Sequence, residues 1–166
     1  MSTGSIDREA EATRQFEPEL LQRLGLFIVR WSFVETCVSD LFVLLTRGDP
    51  GSMIAVTGSM SSSTISDWIR AIVETQQKTP HDLVNEINDV LSEVDHLRSE
   101  RNILVHGLWG TTGPEHSVLV QTSRLGRKEI IRDRVVTAAD IDGLIDESLE
   151  VMRRLLALLR GIRPIA

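Results

Sequence analysis

Cysteine is nearly absent from this chain and tyrosine wholly so: Cys37 stands alone among 166 residues. A single thiol excludes an internal disulfide and leaves no thiolate set for a metal. Its apolar neighbours mark Cys37 as an inert core residue. No apolar run reaches the roughly 20 residues that a bilayer requires. Residues 1–16 are polar and charged, without the apolar centre of a secretory signal, and are expected to form a flexible N-terminal segment of a cytoplasmic protein. A glycine-rich phosphate loop, a nucleophile elbow and an H-E-x-x-H pair are also missing; Gly58-Ser59-Met60-Ser61 reads as a plain loop. His81, His96, His106 and His116 do not have the spacing of a zinc site, so no metal and no cofactor are expected. Positive charge is in short supply: 24 acidic against 18 basic residues give a net charge of −6. That balance argues against broad, non-specific nucleic-acid binding, which works by neutralising phosphates. Arg124, Arg127, Lys128, Arg132 and Arg134 do crowd one stretch, which reads either as a local basic edge or as a solvated hairpin.

The composition that remains, 42% hydrophobic and 25% charged, is that of a soluble globular chain, and it is long enough to bury a core. The pattern predicts an all-α fold over 17–166, an antiparallel bundle of four to five helices with a small β-hairpin before the last. A first helix is expected from Pro18 to Thr46, with Leu20, Phe27, Trp31, Val34, Val38 and Leu41 on one face at helical spacing. Asp49-Pro50 is a cap-and-proline start for a short helix to about Gly58. Ser63 or Thr64 opens another, to about Thr79, with Ile65, Trp68, Ile69, Ile72 and Val73 inward. Pro80 precedes a long helix from His81 to His106, stopped at Gly107. Residues 117–136 read as a hairpin about a Gly126-Arg127-Lys128 turn. Thr137-Ala138-Ala139-Asp140 then resembles a capping box for a last helix ending at Gly161.

Two charges interrupt apolar stripes. Glu35 falls within the stripe of the first helix and Arg101 near the middle of that of the long fourth one. Unpaired buried charge costs several kcal/mol, so the two are expected to meet, either as a structural ion pair or as part of a site. Asn102 and His106 are four apart and stack on one flank of a helix, free to address a ligand together. Trp109 follows, available to stack on a base or simply to close the core. Leu26, Val29, Phe33, Cys37 and Leu44 make a second apolar row on the first helix, which suits either central burial or a homodimer.

Arg101, Asn102 and His106 resemble the R-x4-6-H signature of the HEPN superfamily (higher eukaryotes and prokaryotes nucleotide-binding), and the run from Leu24 to Glu35, with its Trp31-Ser32 and Glu35, resembles the first long helix of small bacterial members. The resemblance covers about 20–109. It implies a helical bundle, a homodimer with its motifs near a shared cleft, and a metal-independent endoribonuclease, in toxin–antitoxin or phage-defence biology with an antitoxin-type partner. It assigns His106 as general acid or base, Arg101 to the phosphate charge, Asn102 to positioning and Glu35 to holding Arg101, with RNA cleaved to a 2′,3′-cyclic phosphate. The alternative reading is a non-catalytic module of the same kind that binds a nucleotide or only dimerises. Members silenced by nucleotidyl transfer carry a tyrosine two residues after the histidine; here that position is Leu108.

Overall fold

A computed structural model describes residues 18–76, 79–111, 118–122 and 132–162. The segment 1–16, the Gly126-Arg127-Lys128 turn and the basic residues Arg124, Arg127 and Lys128 lie outside them. The described chain is mostly helical, with five helices and one three-stranded antiparallel sheet. None of its helices is long and apolar enough to cross a membrane.

Helix α1 (Pro18–Thr46) begins on a proline, whose missing N–H is no loss in a first turn. It ends where Arg47 turns to a φ of 53°, the left-handed conformation that stops a helix. Asp49 caps α2 (Pro50–Thr57) by accepting from the Ser52 N–H at 2.9 Å. Helix α3 (Ser62–Thr75) starts earlier and stops sooner than the pattern suggested. Its cap is Ser61, which accepts from the Thr64 N–H at 3.1 Å, and Gln76 is already extended. Its buried apolar residues are Ile65, Ile69 and Val73, whereas Trp68, expected to face inward, is 55% exposed. The three buried positions repeat every four residues, and a residue one step from such a row is turned about 100° away from it. Helix α4 (His81–His106) and helix α5 (Ala138–Gly161) have the expected limits. Before α5, the Asp140 carboxylate accepts from the Thr137 N–H at 2.7 Å while the Thr137 hydroxyl accepts from the Asp140 N–H at 3.2 Å, a closed capping box.

Strands β2 (Val118–Thr122) and β3 (Arg132–Val136) pair in the expected hairpin, Val118 opposite Val136 and Val120 opposite Arg134. The sheet has a further strand that the hairpin reading lacked. β1 (Leu108–Thr111) leaves α4 after a single residue and pairs with β2, Trp109 opposite Val120.

The chain gathers into two compact units, and α1, α4 and α5 each contribute a stretch to both. The described residues of the first are 18–28, 99–111, 118–122 and 132–146. Its buried residues include Leu20 and Phe27 of α1, Leu104 of α4, Val136 of β3, and Ile141, Leu144 and Ile145 of α5. Arg23 grips Asp142 through Nε at 2.9 and 3.1 Å in the same unit. The described residues of the second are 29–76, 79–98 and 147–162. Trp31, Val34, Val38 and Leu41 of α1 are buried in it, with Ile69 and Val73 of α3, Ile87, Val90, Leu91 and Val94 of α4, and Val151 and Leu155 of α5. Arg154 bonds Glu86 at 2.9 Å and also Glu93, tying α5 to α4 within this unit.

Candidate functional site

The last turns of α4 carry the residues singled out from sequence. Leu104 is 2% exposed and anchors the helix end in its unit, while Asn102 and His106 face solvent and Arg101 is half-buried. Arg101 is the hub. Its Nη1 donates to Asn102 Oδ1 at 3.1 Å and stands 3.4 Å from His106 Nε2. A guanidinium nitrogen only donates, so a hydrogen bond across this contact has Nε2 as its acceptor. Arg101 Nε is buried without a hydrogen-bond partner. A cation, an amide and an imidazole nitrogen thus meet at an exposed helix end, brought together by the helical turn between residues 101 and 106. Chemically the cluster offers a charged donor to an anion beside a nitrogen able to take a proton.

Glu35 belongs to the second unit, whereas Arg101 belongs to the first. Within its own unit Glu35 acts on Arg98. Burial pushes the Arg98 guanidinium below its ordinary range and Arg70 adds to that, while Asp67 and then Glu35 oppose it. Asp95 ion-pairs with Arg98 and accepts from Arg70 Nη2 at 2.7 Å. Asp95 is therefore a bridge between two arginines. The polar residues that sequence reading passed over are these: Arg98, Arg70 and Asp67 in one unit, and Glu100, the partner of Arg134, in the other. Arg98 sits one turn before Arg101, and a charge at helical spacing within the stripe was the signal available for it.

Trp109 is half-buried, and its indole Nε1 donates to the Leu104 carbonyl at 2.8 Å. His96 is exposed, 3.6 Å from Glu147. Cys37 is a buried free thiol, pushed up by burial and by Asp40, which keeps it in the unreactive protonated form. Among the described residues, no group of three or more His, Cys, Asp or Glu is placed to hold a metal ion. No protein-family model, no curated protein and no solved structure matches the chain.

Proposed function

We propose that the chain is a HEPN-like, metal-independent endoribonuclease of the helical-bundle kind, acting in the cytoplasm as a homodimer in a toxin–antitoxin or phage-defence setting. The observation that carries this reading is the Arg101 hub, with Asn102 at 3.1 Å and His106 at 3.4 Å on an exposed helix end. His106 Nε2, as the acceptor, takes the proton from an RNA 2′-hydroxyl. The freed oxygen attacks the adjacent phosphorus and the bond to the 5′ oxygen breaks, leaving a 2′,3′-cyclic phosphate. The 5′ oxygen takes up a proton and departs as a hydroxyl. Arg101 stabilises the charge that builds on the phosphorane oxygens, and Asn102 orients Arg101. Trp109 enters this proposal as a neighbour of the site. The homodimer is supported by the apolar row of α1, where Leu26, Val29 and Phe33 are 45%, 56% and 59% exposed.

The second reading, a module that binds a nucleotide or a protein partner without cleaving, is favoured by the net charge of −6. One experiment separates them. Wild-type protein and His106→Ala are incubated with a mixed RNA pool in EDTA, with thermal melting in parallel. The endoribonuclease reading expects cleavage by wild type and a loss of at least about a hundredfold in the variant, at an unchanged melting temperature. No cleavage by wild type, or equal cleavage by both, leaves the binding module.

A further inference from the structure

We propose that the three-stranded sheet is a latch that sets the end of α4, with Trp109 and Arg134 acting as positioning residues for Arg101 and His106 rather than as contacts to RNA. Its catalytic consequence rests on the endoribonuclease reading above, whereas its effect on the helix end does not.

The last carbonyls of an α-helix have no partners within the helix, and α4 ends on His106 itself. The Ile103 carbonyl is satisfied by the Gly107 N–H at 2.9 Å. The next carbonyl, that of Leu104, is taken by the indole N–H of Trp109 at 2.8 Å. Trp109 is therefore a side-chain cap, supplied by the first strand of the sheet. A second tie lies just before the hub. Glu100 is only 13% exposed in its side chain, and Arg134 of β3 ion-pairs with it, which satisfies a carboxylate that is costly to leave alone away from water.

The two ties share one support. Trp109 is opposite Val120 in the β1–β2 ladder, and Val120 is opposite Arg134 in the β2–β3 ladder. Both positions stand in one row across the sheet, so the backbone ladders fix their separation. One end of the row grips residue 100, immediately before Arg101, and the other grips residue 104, two before His106. Helix ends fray, and the contact of Arg101 Nη1 with His106 Nε2 spans 5 residues of this last stretch. Unwinding one turn would separate them, and small misplacements of catalytic groups are expensive in rate. The indole N–H and the Arg134 guanidinium are both engaged in these ties.

Trp109→Phe is the discriminating substitution, because it retains an aromatic face for stacking while deleting the indole donor. Amide hydrogen exchange at Gly107 reports fraying of this end directly, independent of any substrate. The latch predicts exchange at Gly107 about five- to tenfold faster in Trp109→Phe, the effect of one lost hydrogen bond. It also predicts faster exchange in Arg134→Met, with Arg134→Lys restored towards wild type. For RNA cleavage it predicts kcat lower by about tenfold in Trp109→Phe with KM within about twofold. Unchanged Gly107 exchange in both Trp109→Phe and Arg134→Met overturns the latch. So does a Trp109→Phe that cleaves like wild type beside a Trp109→Ala whose KM alone rises, the pattern of base stacking. If wild type cleaves no RNA, the endoribonuclease reading falls, and the exchange rates alone decide the latch.

Discussion

Glu35 and Arg101 illustrate what a stripe of side chains reveals and what it hides. That a charge inside an apolar face must find an opposite charge follows from the cost of burying it alone, and Glu35 does act on an arginine of α4. A stripe does not by itself name that arginine. Arg98 and Arg101 are one turn apart, about 60° around the helix, so the angular count admits both. Within its unit, Arg98 has Asp67 and Arg70 of α3 and Glu35 of α1 as its charged neighbours. These neighbours make a stability prediction. Asp95 is the anion shared by Arg98 and Arg70, so Asp95→Ala takes the ion-pair partner from Arg98 and leaves Arg70 only its longer contact with Asp67 at 3.5 Å. Arg98→Met removes only the cation that burial already disfavours, and leaves Asp95 with Arg70. Asp95 keeps 39% of its side-chain exposure, so the loss should stay below that of a fully buried pair, at about 2–3 kcal/mol. In thermal melts Asp95→Ala should fall by roughly 4–10 °C, and Arg98→Met by less. A larger drop for Arg98→Met would show that Arg98, and not Asp95, organises the cluster.

Element limits were read well where a single residue dictates them. Pro18 opens α1, Asp49 and Pro50 open α2, and Gly107 follows the last residue of α4. Limits set by tertiary pairing were not. β1 has only four residues and no alternation that distinguishes Leu108-Trp109-Gly110-Thr111 from a loop; it becomes a strand because β2 offers an edge to it. The cap made by the Trp109 indole was equally invisible, since no propensity records it. The box before α5 is the opposite case, a purely local arrangement that the sequence announces. There the Thr137 hydroxyl and backbone N–H hold the Asp140 carboxyl below the usual carboxylate range. A folded value below the unfolded one means that the unfolded chain binds more protons, so stability rises with pH through that interval. Asp140 therefore stabilises fully above its ordinary value of about 3.9, and the contribution is lost as pH falls through the lowered folded value. Asp140→Asn should melt below wild type at neutral pH by the worth of a cap, about 1 kcal/mol. The gap should narrow steadily in acid, below about pH 4. A gap that persists unchanged in chemical denaturation at pH 2.5 would assign the loss to side-chain shape rather than to charge.

For the molecule as a whole, the second apolar row of α1 is the feature that a single chain leaves unexplained. Cys37 of that row is buried at 8%, so the row is covered at that point. Leu26, Val29 and Phe33 are not covered, at 45%, 56% and 59% exposure, and their spacing of 3 and 4 residues puts them on one side of the helix. A phenylalanine left this open contributes little to its own fold, so substituting it tests association with little risk to folding. The proposed homodimer expects wild type to scatter light at close to twice the 18.6 kDa of one chain at micromolar concentration. Phe33→Glu brings a like charge to both sides of a two-fold contact and should return the mass to that of one chain, with helical circular dichroism unchanged. Val29→Lys on the same side should weaken association in the same direction. A monomeric wild type, or a dimer indifferent to both substitutions, would remove α1 from the interface and leave this row as exposed surface.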